Sequence, residues 1–223
     1  MKTFAVIPAY NEEKYVGGVV KDVKKHCDRV IVVDDGSRDE TAKTAEDAGA
    51  TVLKLSKNKG KGFALRTGTR RAVEEGADIL VFIDADRQHR PGDIPKLLEL
   101  LKGADIVFAD RASGYMPAIK RFGNRFLNTM FSILFHSEAG DLLCGFKAFR
   151  KEALEDLMWK TDGYSVEIEM AARAGLKRLK TRHIEIPSIY LETSKGTGIW
   201  DGVTMAWNML KIRFQLASES FRQ

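Results

Sequence analysis

Ile79-Leu80-Val81-Phe82-Ile83-Asp84-Ala85-Asp86-Arg87-Gln88-His89 runs from an apolar strand straight into a cluster of oxygen ligands. The run Ile79 to Ile83 is short and largely β-branched, and it lies between Gly76 and Pro91, as suits a strand interior to a sheet. Asp84, Asp86 and Gln88 follow at every second position, so an extended backbone would send all three side chains to one face. Two carboxylates and an amide carbonyl are hard donors, suited to Mg²⁺ or Mn²⁺ carried in with phosphate oxygens. In an open α/β sheet, ligands bind at the carboxyl ends of the strands, where this cluster falls.

Outward from that stretch, strand and helix signals alternate. Lys2–Ile7, Arg29–Val33, Thr51–Leu55, Ile79–Ile83 and Asp105–Ala109 read as strands. Helices are predicted over Glu12–His26, Asp39–Ala48, Gly62–Glu75 and from Pro91 through Leu101. This order predicts an α/β fold with a mostly parallel, Rossmann-like sheet covered by helices on both faces. The second half is less regular, with helices expected over Asn124–His136, Glu167–Ala174 and Asp201–Ser218, and a strand over Leu179–Ile186. No repeat or linker interrupts the chain. A single domain over 1–223 is expected, with a nucleotide-sugar-binding half (1–110) and an acceptor-side half (111–223).

Two further strand ends carry polar residues. Pro8-Ala9-Tyr10-Asn11-Glu12 follows the first strand, where Pro8 should end it, Tyr10 offers a ring for stacking, and Asn11 or Glu12 can cap the next helix. Asp34-Asp35-Gly36-Ser37 follows the second. Two adjacent acids repel unless each has its own task, one accepting a base or ribose hydrogen bond and the other capping a turn. Asn58-Lys59-Gly60-Lys61-Gly62 is a glycine-punctuated basic loop before a helix, and Lys61 there favours an anion. It is neither of the familiar phosphate-loop patterns, which disfavours NTPase and dinucleotide folds. Taken alone, each motif is compatible with plain turn capping. Together they describe a nucleoside diphosphate held by a metal.

These residues, in this order, resemble the family 2 glycosyltransferases of GT-A fold, and most closely their dolichyl-phosphate mannose/glucose synthase branch. The resemblance covers residues 3–195. It implies that Pro8, Tyr10, Glu12 and Asp35 bind the nucleoside, with Lys61 and Asp84 also on the nucleotide. It implies that Asp84, Asp86 and Gln88 hold the metal and the donor diphosphate. Asp141-Leu142-Leu143-Cys144-Gly145-Phe146-Lys147 is similar to that branch's Asp-to-Gly-Phe-Arg segment, and Glu169 and Glu185-Ile186-Pro187 also match. Tyr190 to Lys195 lacks the Arg that the branch usually carries there, and no Gln-x-x-Arg-Trp of processive synthases is present.

The implied reaction is an inverting transfer of a hexose from GDP-mannose, UDP-glucose or UDP-N-acetylglucosamine to a polyprenyl or dolichyl phosphate. A lipid phosphate is mostly ionised at neutral pH and needs cations rather than a base. Arg111, Arg121, Arg125, Lys147 and Lys195 are candidates, with Arg111 and Arg121 foremost. A soluble hydroxyl acceptor would instead need a general base, for which Asp141 is the choice. A non-catalytic nucleotide-sugar-binding module is the alternative outside enzymology, and the acid cluster at the strand end argues against it.

Composition sets the setting. Net charge is +5, and the pI is near 9.1. Acids at the strand ends, in place of basic stripes with exposed aromatics, argue against nucleic acid. No run reaches the roughly 18 apolar residues of a membrane span, and the N-terminus lacks a signal peptide's apolar core. Cys27 and Cys144 form no metal or redox spacing. A cytoplasmic enzyme is expected. Two helices combine Phe, Trp and Leu with basic residues: Phe122, Phe126, Met130 and Phe131 beside Arg121 and Arg125, and Trp200, Trp207 and Phe214 beside Lys211 and Arg213. Such helices suit the inner face of a membrane, or else packing against the core or a partner.

Overall fold

The computed structural model describes residues 1–111, 118–137, 140–187 and 199–220; within the helices it leaves the side chains of 118–124, 199–203 and 220 undescribed. A seven-stranded sheet forms the centre, in the order β3-β2-β1-β4-β6-β5-β7. Its strands are β1 (Thr3–Ala9), β2 (Arg29–Asp34), β3 (Thr51–Lys54), β4 (Ile79–Phe82), β5 (Ile106–Arg111), β6 (Lys147–Arg150) and β7 (Thr181–Ile186). All neighbours pair in parallel except β6, which runs antiparallel to both β4 and β5. The helices are α1 (Val16–Val23), α2 (Thr41–Asp47), α3 (Lys61–Glu74), α4 (Ile94–Leu101), α5 (Ala118–Phe135), α6 (Leu154–Leu157), α7 (Val166–Leu176) and α8 (Ile199–Ser220).

Alternation along the buried strands explains the two layers. Ile7, Val32, Val81 and Val107 face Val16, Val19, Val20 and Val23 of α1 and Leu97 of α4. Val6, Val33, Phe82 and Phe149 face the other way, onto Leu65 of α3 and onto Trp159, Val166 and Met170. Beyond the sheet, α5, α7 and α8 close a further core of Phe131, Phe135, Ile168, Met209, Ile212 and Leu216. Strand order reverses between β1 and β4, and a crevice opens at such a switch point.

The structure corrects several expected boundaries. The first helix begins at Val16, not Glu12, and neither Asn11 nor Glu12 caps it. Asn11 instead takes φ +55 in a turn. Pro8 lies inside β1 and does not end it. Pairing with β4 stops at Val6↔Phe82, so the imino group of Pro8 interrupts no ladder on that side. The strand β6 was not expected from sequence. Only four residues long, it offers too little periodicity to read, yet it places Lys147 between Phe82 and Phe108, level with the site.

Candidate active site

Three loops at the carboxyl edge are tied to one another by backbone N–H groups that donate to side-chain oxygens. The Asn11 N–H donates to Ser37 Oγ (2.9 Å), the Arg38 N–H to Asn11 Oδ1 (2.9 Å) and the Glu12 N–H to Thr41 Oγ1 (2.8 Å). The adjacent acids do divide their tasks. Asp34 Oδ1 accepts the Ser37 N–H at 2.9 Å and so caps the turn. Its second oxygen is buried without a hydrogen-bond partner among the described residues. Asp35 accepts the amides of Lys59 (2.7 Å) and Gly60 (2.8 Å), so both its oxygens hold the loop before α3. Gly60 is required there: its φ is +97, and a Cβ would come within 2.5 Å of the Asp162 carbonyl oxygen. Tyr10 is 41% exposed beside this crevice, and Pro8 and Glu12 are half-buried.

Past β4 the chain does not stay extended. Residues 85–86 turn and Arg87 takes φ +63, so the simple alternation expected for Asp84, Asp86 and Gln88 fails. The turn closes on itself through the Gln88 N–H, which donates to Asp86 Oδ1 at 3.0 Å. Asp84 remains close to Asp86 electrostatically. Burial, then the neighbouring Asp84 charge, raises the Asp86 carboxyl above its usual range.

Asp84 is the hub. Lys61, the first residue of α3, brings its Nζ to 2.6 Å from Asp84 Oδ1 and 2.8 Å from Glu167 Oε1, with only 12% of its side chain exposed. His89 Nε2 stands 3.7 Å from Asp84 Oδ2 and 3.9 Å from Cys144 Sγ. Burial opposes the charge on Asp84, but Lys61 and then His89 outweigh it and hold the carboxyl far below the usual range. Burial likewise opposes charge on Lys61, and Asp84 and Glu167 keep it protonated beyond its ordinary value. Gly145 lets the 141–147 segment pass this close, since a Cβ there would meet Asp84 Oδ2 at 2.3 Å. Lys147 is fully buried nearby, and burial pulls its pKa down.

On the far side of β6, Arg111 at the end of β5 forms a two-pronged ion pair with Asp141, Nη2 to Oδ1 being 3.0 Å. Asp110 accepts the Asp141 N–H at 2.7 Å and lies 3.1 Å from His183 Nδ1, whose ring stacks on Phe108. Asp110, Asp141, Lys147, Glu167 and His183 line a small pocket between these groups. Arg121 lies on α5, with its side chain undescribed, and Lys195 lies outside the described residues. Arg125 is exposed.

Three site-lining residues were not expected from sequence: Glu167, Asp110 and His183. Glu167 and Glu169 do carry a signal. They are two acids within an otherwise apolar helix start, Val166 to Met170, and both are buried. Glu169 holds the Lys160 and Thr161 amides (3.0 and 2.8 Å) and Arg173 (2.9 Å), while Glu167 turns to Lys61.

The donor set fits a divalent cation. Two carboxylates crowd together at a strand end, and burial and the Asp84 charge disfavour the ionised form of Asp86, which a cation would favour. Among the described residues, no group of three His, Cys, Asp or Glu side chains converges as a metal site, so the remaining ligands would come from Gln88 and from substrate oxygens.

The seven strands in this order put these acids at the switch point, where open α/β sheets bind their ligands. The model of the family "Glycosyl transferase family 2" matches residues 4–158, and the chain belongs to that family. It is 31% identical over 239 residues to the UDP-N-acetylglucosamine–dolichyl-phosphate N-acetylglucosaminyltransferase of Methanococcus voltae, covering 94% of this chain and 95% of that one. It is 30% identical over 218 residues to the undecaprenyl-phosphate mannosyltransferase of Micrococcus luteus, covering 91% and 88%. In fold it is similar to glucosyl-3-phosphoglycerate synthase from Mycobacterium tuberculosis, solved with Mn²⁺, UDP-glucose and phosphoglyceric acid (TM-score 0.71, 24% identity, 96% of this chain and 79% of that one).

Proposed function

We propose that this glycosyltransferase moves a hexose from a nucleoside-diphosphate sugar to a polyprenyl phosphate, using Mg²⁺ or Mn²⁺, at a membrane surface. The observation that carries the choice of acceptor is the state of Asp141. Its carboxylate is taken up by Arg111 and is not free to deprotonate a hydroxyl. An ionised phosphate needs no base, and Arg111 can exchange its internal carboxylate for phosphate oxygens without leaving its place. The names of the two relatives, both acting on lipid phosphates, support the same reading.

Each residue then has a task. Tyr10 offers its exposed ring to the base, with Pro8 and Glu12 forming the wall and Asp35 the floor of the nucleoside crevice. Asp84, Asp86 and Gln88 hold the cation, which when bound supplies Lewis-acid neutralisation of the departing diphosphate. Arg111 orients the acceptor oxygen toward the sugar, Arg121 and Lys195 are assigned to the same phosphate, and Lys147 keeps a positive group beneath them. Among the described residues no helix is long and apolar enough to cross a membrane. Contact with lipid is therefore assigned to the exposed faces of α5 and α8.

The test is turnover of UDP-glucose, UDP-N-acetylglucosamine and GDP-mannose with Mn²⁺ and a short polyprenyl phosphate. One donor should yield lipid-linked sugar, and EDTA should abolish the product. Consumption of a donor only with a hydroxyl acceptor such as a glycerate would overturn the lipid reading.

A further inference from the structure

We infer that Lys61 is an internal stand-in cation which holds Asp84 until nucleotide arrives, so that metal enters with the nucleotide and not before it. This rests on the metal reading above and adds an order of events to it.

Three observations carry the inference. First, the ammonium of Lys61 lies 2.6 Å from the very carboxylate assigned to the metal and is shared with Glu167 at 2.8 Å. Without Lys61, Asp84 would keep only His89 at 3.7 Å and the buried Lys147 as counter-charges among the described residues, so Lys61 supplies at this carboxylate the close positive charge that a divalent ion would supply. Second, Lys61 has somewhere to go. Glu167 is 3% exposed and sits on α7, away from the β4 turn, and can keep the ammonium when Asp84 lets it go. Third, the loop that carries Lys61 is fastened from the nucleotide side. Both oxygens of Asp35 hold the amides of Lys59 and Gly60, the two residues before Lys61. A nucleoside that engages Asp35 must share or replace those bonds, and the loop it disturbs is the one that positions the ammonium. Nucleotide binding and release of Asp84 are thereby mechanically joined.

The inference predicts opposite effects for two variants, read as Mn²⁺ binding by electron paramagnetic resonance, without donor turnover. Native protein should bind Mn²⁺ weakly alone and at least about tenfold more tightly with UDP or GDP, a difference near 1.4 kcal/mol. Lys61→Met should bind Mn²⁺ without nucleotide about tenfold more tightly than native protein. Its metal-free melting temperature should fall, and Mn²⁺ alone should restore much of the loss. Glu167→Gln removes the place to which the ammonium retreats, so its nucleotide-dependent Mn²⁺ affinity should fall about tenfold. This second variant decides the matter if Lys61→Met does not fold. Affinities within twofold of native in the folded variants would overturn the role of Lys61 while leaving the metal reading intact. Failure of native protein to bind Mn²⁺ with either nucleotide would instead overturn the metal reading itself.

Discussion

The two sides of the sheet's carboxyl edge handle charge differently. On the donor side the acids of β2 end on backbone amides, Asp34 on that of Ser37 and Asp35 on two loop amides, and Asp84 ends on a nearly buried ammonium shared with Glu167. On the acceptor side the acids hold partly exposed side chains. Asp141 pairs with Arg111, itself 26% exposed, and Asp110 faces His183. Backbone donors cannot be traded for a substrate without moving the chain, whereas a half-exposed guanidinium can change partners by rotating a few bonds. The donor side is thus the more preorganised and the acceptor side the more adjustable, which suits the proposed pairing of a nucleotide sugar with a lipid phosphate.

Breaking the donor side should cost most. Asp86→Ala removes a proposed metal ligand and also a carboxyl that burial and Asp84 hold above its usual pKa. Turnover should fall about 10³-fold, with the melting temperature unchanged or raised. A large loss of stability alongside would mean that Asp86 is structural.

The complementary experiment strikes a buried acid that the chemistry does not use. Glu169 is fully buried, and Arg173 beside it is nearly so. Glu169→Ala leaves Arg173 with Glu219 alone and strips the amides of Lys160 and Thr161 of their acceptor, a loss of about 3 kcal/mol over three hydrogen bonds. For a chain of this size that lowers the melting temperature by roughly 6–12 °C. Differential scanning calorimetry checks it. Activity below the new transition should remain near native, in contrast to Asp86→Ala.

On the acceptor side, Arg111→Ala should lower kcat/KM for lipid phosphate about 100-fold and leave donor KM within twofold. Asp141→Asn weakens the ion pair with Arg111 and, on the lipid-phosphate reading, removes no base, so turnover should change less than tenfold. A loss approaching 10³ with a flattened pH profile would make Asp141 the general base and favour a hydroxyl acceptor.

The same contrast decides what could be read from the sequence. The front half was legible because its buried strands are short apolar runs rich in β-branched residues, and the ends of β1, β2 and β4 carry their polar residues in sequence. Asp34, Asp35, Asp84 and Asp86 therefore stood next to the elements that position them. What was not legible depends on tertiary partners. Nothing around Lys61 announces Glu167, 106 positions away by number, and the loop reads as an anion site because the anions it meets are the protein's own carboxylates. The extended spacing of Asp84, Asp86 and Gln88 failed on a left-handed Arg87, a conformation no side chain there signals. The short β6 buries Lys147, which the sequence offered as one of the cations for the acceptor phosphate.

The smallest effect is expected where the fold leaves apolar groups outside. Most of the aromatic and aliphatic residues of α5 and α8 are spent on each other and on α7, Phe131, Phe135, Met209 and Ile212 among them, so packing explains the greater part of both helices. It does not explain Trp207 and Phe214, which are 58% and 75% exposed and stand seven residues apart, on one face. Lys211 lies between them with its ammonium 5.6 Å from the Trp207 ring centroid. A ring pair with a cation at its centre suits the headgroup boundary of an anionic bilayer. Native protein should therefore sediment with vesicles containing phosphatidylserine, less so as salt rises. Trp207→Ser with Phe214→Ser should weaken that binding about tenfold, each ring contributing part of the roughly 1.5–3 kcal/mol of full burial. The melting temperature should not move, because neither ring is packed. Vesicle binding that survives the double substitution would shift the membrane contact to the exposed Phe126 and Ile133 of α5. It would also make the adjustable acceptor side, not the end of the chain, the part that meets the lipid.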